Sequence, residues 1–327
     1  MTYDESWDRP HRPGANPLWQ ESDCYWFYDA AKGVGGFHRI GQTPAKGIGQ
    51  VMLFVFDEGG ERFMSVRDFP LAPAARSDTW HAVANSRAEA LGDKRMRFTW
   101  GQQETEGDLE FYENFYAPRD WSRTGRAAKA LNDMNADGHL ECSGRVRGNV
   151  RVGGRTHRID ALAHRDRSWG PRDHSVVVQH RMFSGTVGPA LSFAAFTITT
   201  KHVGTHAAGF VVRDGIETDI KSLDVLTTFE NDGATVAGGT AYLTLADGGD
   251  LVIPCGGVQG MLSNVHDLFF ATDTISTVDW NGAKGFCDIE VSNNPGRGSY
   301  IPTPADVSRI CASEGLSAFV PYRFGRR

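Results

Sequence analysis

His164-Arg165-Asp166-Arg167-Ser168-Trp169-Gly170-Pro171-Arg172-Asp173-His174 places seven ionisable side chains and a tryptophan within eleven residues. It continues directly from Arg155-Thr156-His157-Arg158-Ile159-Asp160-Ala161-Leu162, an alternating run. Alternation at period two marks a strand, because successive side chains leave the pleat on opposite faces. Carried into the charged stretch, it puts His164, Asp166 and Ser168 on one face and Arg165, Arg167 and Trp169 on the other. Gly170-Pro171 ends the ladder, since glycine admits dihedrals closed to other residues and proline has no N–H to donate. Beyond it, Arg172, His174, Val176 and Val178 are expected on one face of a second strand. The segment reads as strand, kink, strand.

Outward from this segment the chain keeps reading as strands. Upstream, residues 50–56 and 62–67 flank the turn Asp57-Glu58-Gly59-Gly60, and residues 95–100 and 109–116 follow. The glycines of Gly33-Val34-Gly35-Gly36 lie between strand-like runs, so they mark a hairpin and not a dinucleotide loop, which needs a helix opening on it. Downstream, strand patterns recur at 192–199, 207–213, 217–229, 235–245, 250–254, 258–265, 269–280 and 285–291. Residues 126–131 and 303–311 read as two short helices, the second with Thr303 as N-cap, Pro304 in its first turn and Gly315 as its stop. An arm rich in Pro, Asp and Arg, ending near Pro17, is expected to wrap a surface. The number and spacing of strands predict two antiparallel β domains in tandem, barrels or strongly curved sandwiches, divided as residues 1–172 and 173–327, with the charged segment at their junction.

Composition narrows the class of function. The chain has 327 residues, 40% hydrophobic and 23% charged, with a formal charge of −6. That balance is globular and carries no basic footprint for nucleic acid. The N-terminus lacks the basic start and apolar core of a secretory signal, and no apolar run approaches the length of a membrane span. Five scattered cysteines with no Cys-x-x-Cys pair suit a reducing cytoplasm and small buried roles.

The candidate chemistry centres on His164 and Asp166. A carboxylate beside an imidazole fixes its tautomer and raises its pKa, and a carboxyl in a poorly solvated cleft can stay protonated as an acid. The alternative is a buried lattice of Arg165, Asp166, Arg172 and Asp173 holding two domains together. Residues 133–138 match half of a calcium loop, but its twelfth position is Gly144 where a bidentate Glu is needed, so no metal is expected. No phosphate loop or nucleophile elbow is present. Among the many aromatic residues, which read mostly as core, Tyr28, His38, Arg39 and His81 put polar ends among apolar neighbours and are candidate ligand contacts.

Residues 165–174 resemble the Arg-Asp-His-Ser-Trp-Gly-x-Arg-Asp-Trp signature of bacterial proteins related to hydroxyneurosporene synthase, the carotenoid 1,2-hydratase. The stretch from Glu21-Ser22 to Pro44 is similar to the N-terminal domain of that group, and residues 285–290 with Asn293 to its closing strand. Two positions depart from the signature: its His is Arg167 and its final Trp is His174. The resemblance implies two lipocalin-like β-barrels, a ligand cavity at or between them and an apolar substrate handled without a redox cofactor. It makes the leading expectation a cofactor-independent, cytoplasmic lyase or hydratase. Asp166 would donate or relay the proton with His164 or His174 as partner, while Arg165 and Arg172 set pKa values or hold a substrate oxygen. Trp169 and Asp173 join the expected substrate contacts. An isomerase or cyclase would use the same parts, and a carrier of a hydrophobic ligand would need none of the chemistry. The expected partner is a small apolar molecule, with no nucleic acid, no stable membrane insertion, and homodimerisation left open.

Overall fold

A computed structural model describes residues 3–72, 75–102, 104–121, 137–231, 235–266 and 269–294. The described residues are almost entirely β. The first half holds β1 (Trp19–Asp29), β2 (Val34–Thr43), β3 (Ile48–Phe56), β4 (Arg62–Pro70), β5 (Trp80–Val83), β6 (Ser86–Gly92), β7 (Arg95–Gln102), β8 (Thr105–Asn114), β9 (Arg119–Asp120), β10 (Gly138–Val152) and β11 (Arg155–Pro171). The second holds β12 (Val177–Thr186), β13 (Leu191–Thr200), β14 (Gly204–Arg213), β15 (Ile216–Phe229), β16 (Val236–Leu245), β17 (Asp250–His266), β18 (Phe269–Trp280) and β19 (Ala283–Asn293).

Two sheets result, the tandem barrel pair expected from the strand spacing. The first runs β4-β3-β2-β1-β11-β10-β8-β7-β6-β5, with β9 added on β10. It curls until its ends nearly meet: Gln42 on β2 donates its amide to the carbonyls of Ala75 and Ala82 at 3.2 and 2.9 Å, and Val83 of β5 packs over Gly49 of β3. The second is a closed barrel of β12 to β19 in sequence order. Its hairpins use Asp214-Gly215 and Asn281-Gly282, each with both φ angles positive, the turn whose twist matches that of the flanking strands. Each barrel has its own apolar filling. Tyr25, Phe27, Phe98, Trp100 and Phe111 are in the first, and Phe183, Phe193, Leu243 and Ile289 in the second. A third cluster joins them. Trp26, Phe37, Phe54 and Phe56 on the outer face of the first sheet pack on Leu262, Ile275 and Phe286 of the barrel.

The central strand is β11, paired with β10 from Arg155 to Trp169 and with β1 from Leu162 to Pro171. Its alternation is the one expected. Arg165, Arg167 and Trp169 turn inward, while Asp166 and Ser168 turn toward the barrel. Gly170 has φ +108°, and a Cβ there would lie 2.5 Å from the Asp137 amide nitrogen, so the strand's end requires glycine.

Several expectations change. Residues 174–176 form a 3-10 turn, so Arg172, His174 and Val176 do not alternate as on a strand, and β12 starts only at Val177. The break read between 254 and 258 is a bulge inside one strand, β17, where the register shifts at Gly256 and Val258. The N-terminal arm contains a 3-10 turn over Glu5–Asp8. The helices expected at 126–131 and 303–311, and residues 133–136 of the half calcium loop, lie outside the described residues. Among the described residues, no helix is long and apolar enough to cross a membrane.

Candidate active site

The two-residue Gly153-Gly154 turn between β10 and β11 pairs Val152 with Arg155 and sets every pair behind it. His139 lands opposite Ser168, Glu141 opposite Asp166 and Ser143 opposite His164. All six lie on the outward face, where side chains directly across an antiparallel pair meet. His139 Nε2 donates to Asp166 Oδ2 and lies 3.5 Å from Glu141 Oε1. Behind this pair, Glu141 Oε2 bonds His164 Nε2, and His164 Nδ1 lies 2.9 Å from Ser143 Oγ. Ser143 Oγ in turn donates to the Gly185 carbonyl of the barrel at 3.4 Å.

Burial assigns the protons. It pushes the Glu141 carboxyl well above its usual range, and the Asp166 charge pushes it further. Burial opposes ionisation of Asp166 too, but His139, through charge and hydrogen bond, holds that carboxyl below its usual range. Burial likewise opposes a charge on His139, but Asp166 more than offsets it and raises the imidazole to about 9. His164, desolvated, is lowered to about 3. These shifts favour an Asp166–His139 ion pair with the proton held on the Glu141 carboxyl behind it. Glu141 donates to neutral His164, and the tautomer this fixes donates from Nδ1 to Ser143.

Asp166 and His139 stand in the wall of a chamber between the first sheet and the barrel. It encloses about 1120 Å³ of empty space, counting its open mouth. Trp26, Phe37, Met52, Trp121, Met182, Phe196 and Ile198 supply its apolar lining. Arg39, Arg172, His174 and His180 line it as well, and Asp273 and Glu290 line it from the barrel. Arg39 Nη1 donates to Gln50 Oε1 at 2.9 Å, and Glu290 lies 3.4 Å from His180 Nδ1. Burial, then neighbouring carboxylates, raise Asp273 and its neighbour Asp288 well above the usual range. Two groups, His139–Glu141–Asp166 and Asp273–Asp288–Glu290, bring ligand atoms within 4.8 Å of one another, a spacing compatible with a cation. In the first group the His139–Asp166 ion pair already balances one carboxylate.

Of the residues singled out from sequence, Asp166, Arg172, His174 and Arg39 reach the chamber. His164 sits one layer behind it, bonded to Glu141 and Ser143. The others are elsewhere. Arg165 points into the first sheet and donates to both oxygens of Asp8, at 2.6 and 3.1 Å. Trp169, on the same inner face, stacks on His11 with ring centroids 4.0 Å apart. His38 is enclosed by Tyr25 and Trp100, and His81 bonds Asp23 at 2.6 Å. Tyr28 belongs to the cluster joining the two sheets. Asp173 caps the 3-10 turn by accepting from the Ser175 amide at 2.9 Å. The period of two put Arg165 and Trp169 opposite Asp166, so they could not share its cavity. His139 and Glu141 were missed. Their signal is a His-x-Glu pair, read back from the Gly153-Gly154 turn onto Asp166 and Ser168.

The inner face of β11 carries an ion-pair lattice, but it is built within the first sheet from Arg167 and residues of β1 and its neighbours, not from the expected Arg165, Asp166, Arg172 and Asp173 between two domains. Arg167, 1% exposed, donates to Glu21 and Asp23, and Glu21 also receives Arg76 and His11. Burial favours protonation of these carboxyls, yet the Arg167 charge overrides it and holds Glu21 near 2 and Asp23 lower still.

Fold and site together define a class of tandem β-barrel proteins with a largely apolar chamber between the sheets and a His–Asp ion pair in its wall. Within that architecture the chain belongs to the family described as Domain of unknown function (DUF7064), whose profile matches residues 4–295. No curated protein matches it. Solved structures with a similar fold include a putative AttH (NE1406) from Nitrosomonas europaea, with a TM-score of 0.57, 11% identity and coverage of 86% of this chain and 94% of that one. CghA with Sch210972 is similar at TM-score 0.59 and 9% identity, covering 85% and 89%. Kievitone hydratase from Nectria haematococca is similar at TM-score 0.53 and 11% identity, covering 84% and 88%. At such identities the likeness is one of fold.

Proposed function

We propose that this protein is a lyase of the hydratase type, adding water to, or removing it from, a small apolar metabolite in the chamber between its two domains, residues 1–172 and 173–327. The observation that carries the reading is the Asp166–His139 pair, backed by protonated Glu141, in the wall of a largely apolar cavity. Asp166 takes the proton of the attacking water or returns it. His139 is its partner, in the role expected of His164 or His174. Glu141 holds a proton in reserve, and His164 with Ser143 positions it. The cavity orients the substrate and keeps bulk water from the reacting carbon. Water and the chain's own side chains carry each of these steps. The residue 165–174 signature, which resembles that of hydroxyneurosporene synthase, and the hydratase among the proteins of similar fold support this reading. An isomerase or cyclase would use the same acid and base without the water.

The test is a panel of terpenoid, steroid and aromatic alkenes and alcohols incubated with the protein in isotopically labelled water. Mass spectrometry should find product gaining or losing one water. Asp166→Asn should lower the rate by about 100-fold to 10,000-fold, the usual worth of a positioned acid/base, while fold and ligand retention persist. A carrier would retain a ligand and turn over nothing in either form.

A further inference from the structure

Four nitrogen donors around the chamber have no acceptor among the described residues. They are Nε and Nη2 of Arg172 and the indole Nε1 atoms of Trp26 and Trp121. All three residues line the same cavity, and both tryptophans are buried, at 3% and 2% exposure. Native interiors leave few donors unpaired because the desolvation cost is not recovered, and the cost is larger for a charged group. Arg172 is not loose chain. Its amide donates to the Leu18 carbonyl at 3.0 Å, and Pro171 precedes it. Its guanidinium lies within the field of Asp166, yet Asp166 Oδ2 is taken by His139. Residues lining the chamber therefore carry buried donors without a partner, which a purely hydrocarbon guest would leave unanswered.

We propose that the chamber takes an apolar molecule bearing a carbonyl or carboxylate oxygen conjugated to the reacting double bond, with that oxygen seated on Arg172 and supported by the indole N–H groups. This rests on the hydratase reading and narrows its substrate. Water adds to the carbon β to the carbonyl and gives its proton to Asp166, while the π electrons move onto the carbonyl oxygen. The resulting enolate is held by Arg172. The α carbon then takes a proton from cationic His139, the carbonyl re-forms, and Asp166 returns its proton to His139. A C–O and a C–H bond are made and one C=C bond is lost. Water addition to an isolated alkene would instead pass through a carbocation, which the Arg172 charge disfavours and an oxyanion exploits.

Three probes of similar shape test this by calorimetry and absorption: benzylideneacetone, trans-cinnamate and trans-β-methylstyrene. The ketone should bind at least about tenfold more tightly than the hydrocarbon, a difference of about 1.4 kcal/mol, and its absorption band should move to longer wavelength as the carbonyl is polarised. Arg172→Met should abolish the band shift and the preference while hydrocarbon binding persists. Cinnamate binding more tightly than the ketone makes the seat one for a carboxylate, and the reverse makes it one for a neutral carbonyl. Equal affinity for ketone and hydrocarbon in the wild-type protein overturns the proposal, as does a band shift that survives Arg172→Met or no binding by any probe. The wild-type comparison decides the matter even where the variant fails to fold. Asp166→Asn should keep the band shift, so a protein that seats the ketone but never adds water loses only the hydratase reading. One that hydrates plain alkenes with no preference for the ketone loses only this proposal.

Discussion

Asp166 and Arg167 are adjacent in the chain and serve opposite sides of a sheet. Arg167 is enclosed with Glu21 and Asp23, so its charge is what allows two buried carboxylates to stay ionised. Arg167→Met should cost about 3–5 kcal/mol in urea unfolding, because it removes the cation shared by two buried carboxylates and leaves them only Arg76, His11 and His81. The histidines set a pH dependence whose sign follows from the direction of each shift. His38, desolvated between aromatic rings, is lowered to about 3, as is His164. Both bind protons more readily when unfolded, so their contribution to stability is complete above about pH 6.5 and is lost as pH falls toward 3. His139 works the other way: its folded pKa near 9 gives stability that is full below about 6.5 and lost as pH rises through 9. From about pH 4 to about 6.5 the unfolding free energy of the wild-type protein should therefore gain on that of His38→Phe as pH rises, and the difference should level off above that range.

The elements that hold this arrangement are β11, its neighbours and the N-terminal arm. The arm was expected to wrap a surface, and it instead enters the first sheet. Asp8 receives Arg165, the Arg9 carbonyl accepts from Arg167 at 2.8 Å, and His11 donates its amide to Glu21. Trp7 packs with Trp19, Leu140 and Trp169. Asp8→Ala should destabilise the protein by about 3–5 kcal/mol, since Arg165 is left buried and unpaired. Limited proteolysis should then cut within the first dozen residues, where the wild-type arm resists. The charged segment thus serves two sides of one strand, an ion-pair lattice inward and the proposed acid/base pair outward. Its sequence showed the two faces but not which faced the cavity, because alternation is symmetric until something packs on one side.

For the whole molecule, the chamber exists only because the outer face of the first sheet meets the barrel. Phe286, fully buried in that contact, is the place to loosen it. Phe286→Ala should cost about 3–5 kcal/mol, with calorimetry showing the unfolding transition broadened and ligand retention weakened. The strand pattern, the hairpin turns and the two faces of β11 were legible in the sequence because all follow from local rules of dihedral and period; the ladder expected to break at Gly170-Pro171 instead runs through both residues, paired with Gln20 and Trp19, and β11 ends there. Asp166, singled out from the sequence, does line the chamber. What only the tertiary structure decided was the company it keeps. His139 and Glu141 lie on a neighbouring strand, Asp273 and Glu290 on the other barrel, and His38, His81 and Trp169 were turned away from the site. Those placements depend on long-range register and on which sheet face is covered, and backbone period says nothing about either.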